Sequence, residues 1–314
     1  MTDAPLRILR LCDARPGHEK QSLGFVQGLK AHLPVACRNV QLYDRPGGAL
    51  DRAALKHASD TSRADPPDLI VGAGHRTHLP MLWLRARRGG RTVVLMKPTL
   101  PIGLFDLVLI PEHDAAPAGL NVLTTQGVLS PIVDPSRIET DDTDVPAAGL
   151  ILVGGINRHY AWHSRRVARQ IGQVLRAAPQ LAWQVSDSRR TPEDFPRALA
   201  EESEVPLRHW RDTGPDWLPR QLALVRDTWV TADSASMLYE ALAAGSRVGI
   251  IELPTLRAGG KLQRGIERLD ARGVIARSTE TASLGATEPS ATPPMQESLR
   301  CAREALTRFY PERL

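Results

Sequence analysis

Short apolar runs, bounded by turns and separated by amphipathic stretches, recur along the whole chain. No other feature constrains the fold as much. "LRILRL", "DLIVGAG", "TVVLMK", "DLVLIP" and "NVLTTQG" mark strands in the first half. Their apolar residues are continuous rather than alternating, as in parallel strands covered on both faces. Between the first two runs, Leu23, Val26, Leu29 and Leu33 stand near helical spacing and predict a helix near 19–33; a second helix fills 76–88. "VDPSRIETDDTDVPAAG", 133–149, is acidic and turn-rich and reads as a linker. The pattern restarts with "LILVGG", a helix over 163–177, "LAWQVS", a helix over 192–202, "PLRHW", "DTWVTAD", another helix and "RVGIIEL". A low-complexity loop at 278–294 precedes a closing amphipathic helix, "MQESLRCAREALTRFY". The fold class is α/β, in two halves built from βαβ units.

At 314 residues, with 42% hydrophobic and 24% charged, the chain reads as globular and long enough for two domains. Its net charge is +5, and all but five of the 40 basic residues are arginine, spread rather than blocked. Nucleic-acid binders concentrate charge beside aromatics, and only 4% of residues here are aromatic. No nucleic acid is expected; an anionic small molecule or an acidic membrane surface suits the charge better. Cys12, Cys37 and Cys301 are odd in number and lack metal spacing, which predicts buried thiols in a reducing compartment. Charges come too early for a signal peptide, and no run approaches the ~18 apolar residues of a spanning helix. A cytoplasmic protein is expected.

In open α/β sheets ligands collect beyond the carboxyl ends of the strands. The first strand ends in "CDARPGHEKQS", with Asp13, Arg15, Gly17, His18 and Gln21. Gly17 permits a tight turn near a ligand, and His18 is the side chain most easily poised as a base. The plainer alternative is a turn followed by a helix with Glu19 in its first turn. "GAGHRTH" (72–78) brings His75 and His78, which lack a third ligand at metal spacing, so no metal is expected. "MKPTLP" puts Lys97 at a strand end, reaching a ligand or simply solvated. "LVGGINRHYAWH" places Gly154 and Gly155 directly after a strand, with Asn157 following. Neither GxGxxG nor a GK[ST] P-loop occurs, which sets aside dinucleotide oxidoreductases and P-loop NTPases. "VSDSRRTP" offers Ser186, Ser188, Arg189 and Arg190 as a phosphate grip, unless Asp187 merely ion-pairs with the arginines.

"VTADSASMLYEALAAG" (230–245) runs a strand into a helix that opens with Asp233, Ser234 and Ser236 and carries Glu240 one turn deeper. These are ordinary caps, or they surround an anion at a helix N-terminus. Ser236 and Glu240 share a face about 6 Å apart along the axis, near the offset between a nucleotide's phosphate and its ribose. A carboxylate accepts hydrogen bonds from two vicinal hydroxyls.

"WVTADSASMLYEALAAGSRVGIIEL" resembles the donor-nucleotide segment of GT-B glycosyltransferases, among them the N-acetylglucosaminyltransferase that makes lipid II. More closely, the chain resembles the bacterial relatives of the plant mitochondrial-fission family of the "elongated mitochondria" type. The likeness rests on "DARPGHEKQSLGF", "VGAGHRTH", "MKPTLP", "TTQGVLSPI", "VGGINRHYAWH", "SRRTPEDF" and "TADSASMLYEAL", in order from residue 11 to about 250. It implies a GT-B-like fold of two Rossmann-like domains facing across a cleft. The acceptor side would be 1–135 and the donor-nucleotide side 149–290, with a helix at 295–314 crossing back to the first domain. It further implies Gly154, Gly155, Asn157, Ser186, Arg189, Arg190, Asp233, Ser234, Ser236 and Glu240 on the donor. Asp13 and His18 would be catalytic, with Arg15, Gly17, Gln21, His75 and Lys97 toward the acceptor. One departure stands out: the lipid II enzyme's acceptor loop has more glycines, where Arg15 and Pro16 stand here, so acceptor identity does not transfer.

The resulting expectation is a metal-independent glycosyltransferase with a nucleoside-diphosphate sugar as substrate and no cofactor. Its acceptor would be a lipid-linked or cell-envelope hydroxyl, met in peripheral contact with the anionic inner membrane. The alternatives are a sugar-nucleotide 2-epimerase and a non-catalytic scaffold for membrane-associated partners.

Overall fold

The computed structural model describes residues 4–42, 52–132, 149–214, 216–257, 259–278 and 295–314. The expected linker at 133–149 and loop at 278–294 fall outside them, save Gly149 and Ser278. The chain divides into two compact units, Met1–Ile132 with Gln296–Leu314, and Val133–Met295.

The first unit holds six parallel strands: β1 (Leu6–Cys12), β2 (Val35–Gln41), β3 (Leu69–Ala73), β4 (Arg91–Leu95), β5 (Leu107–Pro111) and β6 (Val122–Thr125). Their order is β2-β1-β3-β4-β5-β6. Four of the apolar runs became the inner strands β1, β3, β4 and β5, with β3 and β5 buried at every residue, and "NVLTTQG" became the edge strand β6. β2 was not anticipated. Its "VACRNVQ" lies at an edge, largely half-exposed, where mixed polarity is tolerated and leaves no apolar run to read. Successive residues of β1 face opposite ways. Leu6 and Ile8 pack with Phe25, Val26 and Leu29 of α1 (Pro16–Lys30). Leu9 and Leu11 join Leu55 of α2 (Arg52–Thr61) and Met81 and Leu84 of α3 (His78–Arg88).

The second unit holds β7 (Gly149–Leu152), β8 (Trp183–Ser186), β9 (Leu207–Arg208), β10 (Asp227–Thr231), β11 (Arg247–Ile251) and β12 (Ile275–Arg277), again all parallel. The order β12-β11-β10-β7-β8-β9 is the Rossmann order, counted from β7 as its first strand. Its helices are α4 (Ser164–Ala177), α5 (Phe195–Glu202), α6 (Trp217–Leu224), α7 (Ala235–Ala243) and α8 (Lys261–Ala271). α2, α6, α8 and β12 were not anticipated either: α6 and β12 are short, and α2 and α8 are polar overall, with few apolar residues to mark their buried faces.

The chain returns to the first unit as α9 (Glu297–Phe309), packed on α1. Gly24 and Gly28 make this approach possible: a Cβ at either would run into the Ser130 or Ser298 carbonyl. Ser298 Oγ donates to the Ser130 carbonyl at 2.6 Å. Arg300 and Arg308 bond the carbonyls of Thr124 and Leu120, covering part of the β6 edge. Burial pushes the Cys301 thiol up to about 12 and that of Cys12 up to about 11. Cys37, expected to be buried, is half-exposed because it lies on edge strand β2. Among the described residues no helix is long and apolar enough to cross a membrane.

Each sheet has one place where the strand order reverses, between β1 and β3 in the first and between β7 and β10 in the second. Such switch points open a crevice at the carboxyl ends of the strands.

Candidate functional site

At the second sheet's switch point, three loops converge on Asp233. Its side chain is fully buried and accepts the Gly155 amide at 2.9 Å and the Thr231 hydroxyl at 2.6 Å. Arg190 Nη1 lies 2.7 Å from the same carboxylate. Thr231 Oγ1 in turn accepts the Gly154 amide at 2.7 Å, and Ser188 Oγ donates to the Gly154 carbonyl at 2.7 Å. Asn157 Nδ2 reaches the Asp233 carbonyl at 3.5 Å, while its Oδ1 accepts the amides of His159 and Tyr160. Both glycines are compelled by space. A Cβ at Gly154 would strike the Asp233 carboxylate, and one at Gly155 the Arg190 backbone. The glycine turn thus already holds an anion of its own.

Beyond Asp233, α7 begins. Ser234 is its N-cap and makes no side-chain capping bond, and Asp233 directs its carboxylate to Gly155, Thr231 and Arg190 rather than serving as the cap that its position suggested. One turn on, Ser236 Oγ donates to Glu240 Oε1 at 2.6 Å, and Glu240 is buried. Ser236 therefore orients the carboxylate. Asp187 does not pair with the arginines: its Oδ1 accepts the Trp210 amide at 2.6 Å and lies 3.5 Å from His209 Nδ1. Burial outweighs these contacts and raises its carboxyl. Ser186 is buried at the end of β8, its hydroxyl 3.5 Å from the Asp187 carbonyl, and Arg189 is exposed. Burial and the nearby Asp233 push the Tyr160 hydroxyl up to about 12.

At the first sheet's switch point, Asp13 Oδ2 meets His18 Nδ1 at 2.8 Å. Burial alone would raise the Asp13 carboxyl. The hydrogen bond and charge of His18, the Arg15 amide at 3.2 Å and the Arg15 charge outweigh it and hold the carboxyl below its usual range. The residues 16–18, read as a turn, are the first turn of α1, with Pro16 at its start. Gly17 has helical neighbours and open space around it; the left-handed residue is Ala14, at φ 60°, and its amide is held by Glu19 Oε1 at 3.1 Å. Gln21 is buried and donates to the Gly17 carbonyl at 3.3 Å. His75 is exposed. Lys97 is exposed too, with Nζ 3.5 Å from the Ala115 carbonyl, and it follows Met96, left-handed at φ 75°.

Sequence reasoning named Ser188 as part of a phosphate grip but missed Thr231 and Thr191, which close the glycine turn with it. Their local signal was a hydroxyl residue at the end of β10 and another in the loop after β8. The glycines of "GAGHRTH" suggest an anion or substrate loop, but the closeness of Gly74 to His18 is visible only in three dimensions. A cavity of about 430 Å³ lies elsewhere, at the amino end of the first sheet, among Asp68, Arg85, Arg91, Asp106 and Tyr310. Asp106 there is committed to Thr92, Arg85 and Arg91, and the cavity reads as an ion-pair network.

The chain belongs to the family described as Mitochondrial fission ELM1, which it matches over residues 16–309. An uncharacterized protein of Rickettsia prowazekii, RP120, is 38% identical over 50 residues, covering 16% of this chain and only 14% of that protein. Among solved structures, the UDP-GlcNAc 2-epimerase of Methanocaldococcus jannaschii superposes with a TM-score of 0.57. It is 9% identical and covers 95% of this chain and 99% of that one. The S. aureus MnaA–UDP co-structure gives 0.55 at 10% identity, covering 98% and 97%. MurG of Acinetobacter baumannii gives 0.46 at 13% identity, covering 96% and 95%. The fold is α/β, of the GT-B kind, with two Rossmann-like domains.

Proposed function

We propose that this member of the ELM1 family is a nucleotide-sugar enzyme, and more narrowly a metal-independent glycosyltransferase acting on a hydroxyl acceptor. The observation that carries the reading is the convergence of Asn157, Arg190 and the Asp233–Glu240 segment at the β7/β10 switch point. That the superposing folds include UDP-GlcNAc 2-epimerases and a UDP complex supports a uridine nucleotide as donor.

In this reading the diphosphate sits at the first turn of α7, because the glycine turn's amides are already taken by Thr231 and Asp233. Arg190, whose side chain is 40% exposed, turns from Asp233 toward the leaving diphosphate, with Arg189 beside it. Glu240, aimed by Ser236, accepts the ribose hydroxyls. His18, oriented by Asp13, takes the acceptor hydroxyl's proton through Nε2. The oxygen then bonds to the anomeric carbon as the bond to the diphosphate breaks, and the arginines and helix amides offset the charge released. The acceptor is a lipid-linked or cell-envelope hydroxyl met at an anionic membrane. Leu79, 55% exposed at the start of α3 near Arg76, supports that contact.

A thermal-shift panel of sugar nucleotides tests the reading. The cognate donor should raise the melting temperature. With that donor, nucleoside diphosphate release should require an added acceptor. Acceptor-free inversion at C2 of the sugar would instead identify an epimerase, and no shift with any nucleotide would favour the scaffold.

A further inference from the structure

Gly74, directly after β3, has φ 83° and ψ 160°, a conformation essentially confined to glycine. A Cβ there would collide with Cε1 and Nδ1 of His18 and stand 3.2 Å from Nε2. The imidazole thus lies against bare backbone at the carboxyl end of β3, while its partner Asp13 follows β1. The two contacts straddle the switch point.

We propose that Gly74 is a positioning residue: its missing side chain seats the His18 ring so that Nδ1 stays on Asp13 and Nε2 is the proton-accepting nitrogen. The consequence for catalysis rests on the glycosyltransferase reading; the seat itself does not. An ionised Asp13 can only accept, so His18 Nδ1 carries the hydrogen and Nε2 the lone pair. The strand end cannot yield to a methyl group, because the Gly74 carbonyl is held by the Thr77 hydroxyl at 2.8 Å and the Thr77 amide at 3.1 Å. Nor can α1 retreat. Arg10, buried in β1, donates to the Glu19 carbonyl at 2.7 Å and to Ser22 Oγ at 2.9 Å, under the turn that carries His18. With both backbones fixed, a side chain at position 74 must swing the ring away, leaving Asp13 buried without its imidazole partner. A glycine needed only for its φ would have no link to the His18 tautomer.

The test is a long-range 1H–15N correlation of histidine ring nitrogens in the full-length protein, with His18 assigned through His18→Gln. Wild type should show the Nδ1–H tautomer at His18 and a nuclear Overhauser contact between its Cε1–H and the Gly74 Hα. Gly74→Ala should lose both while exposed His75 keeps its signals. An Nε2–H tautomer in wild type, or an unshifted His18 in folded Gly74→Ala, overturns the proposal. Alanine at this φ is strained in itself, so a melting cycle accompanies the spectra. Gly74→Ala should lower Tm less in a His18→Ala background than in wild type, because the collision is gone. Equal losses overturn the seat. If the tautomer result holds while no sugar transfer is found with any donor, the functional reading fails and the seat stands.

Discussion

Replacing Asp233 with asparagine keeps the side chain's shape but removes a fully buried charge that serves three donors: the Gly155 amide, the Thr231 hydroxyl and Arg190. One of the two acceptor positions becomes an NH2 facing a donor. A hydrogen bond to a charged group is worth ~1.5–3 kcal/mol, and breaking a buried ion pair costs ~3–5 kcal/mol. Arg190 is 40% exposed and rehydrates when released, which brings the pair's share toward the ~0–1 kcal/mol of a surface contact. The loss should therefore total ~2–4 kcal/mol, nearly all from the two inner donors. Calorimetry should show the transition of the second unit lowered by roughly 4–16 °C. Arg190→Met should cost under ~1 kcal/mol. An Asp233→Asn protein as stable as wild type would mean that the glycine turn does not depend on this carboxylate. So would an Arg190→Met variant less stable than Asp233→Asn.

Other perturbations probe separate links. His18→Ala should slow sugar transfer ~10²–10⁴-fold and leave donor affinity unchanged; loss of donor binding in a calorimetric titration would reverse the roles given to the two units. Gly28→Ala forces a methyl into the Ser298 carbonyl and should destabilise the first unit by ~1–3 kcal/mol in urea melts, whereas Gly17→Ala, in open space, should not. Burial lowers the His78 imidazole to about 4, against ~6.5 in an unfolded chain. The unfolded state then binds the extra proton between those values. Stability is whole above ~6.5 and falls as pH drops toward 4, by up to ~3 kcal/mol. Urea melts of His78→Gln should lack this part of the slope, and a slope equal to wild type would contradict it.

The inner strands were legible because a strand covered on both faces must be apolar throughout, as β3 and β5 are. The edge strands β2 and β12 escaped, β2 for the same reason reversed: it carries Arg38 and Asn39 with little penalty. Around the site, residue types were legible and partners were not. Asp233 before a helix looks like a cap, and only the return of the β7 loop beside β10 turns it into the anion of the glycine turn. Gly17 looked like the special backbone position next to His18. Ala14 and Gly74 are the ones that depart from ordinary conformations, and nothing local marks an alanine for that role. Glu240 stood out by spacing from Ser236, and the 2.6 Å bond between them adds that the serine's hydroxyl is already spent on it.

The most direct test is calorimetric titration of nucleoside diphosphates and their sugars into the full-length wild type, Ser236→Ala and Glu240→Ala. One nucleotide should bind, and Glu240→Ala should weaken it by about ten- to hundredfold, or ~1.5–3 kcal/mol. Because Glu240 is buried and bonded to Ser236, that variant should also lose ~1 kcal/mol of stability, an effect read separately from the melt. Ser236→Ala should weaken ribonucleotides more than their 2′-deoxy forms, as expected of a residue that aims Glu240 at the ribose. Absence of binding by every nucleotide, or unchanged affinity in Glu240→Ala, would contradict the donor site at β10 and α7.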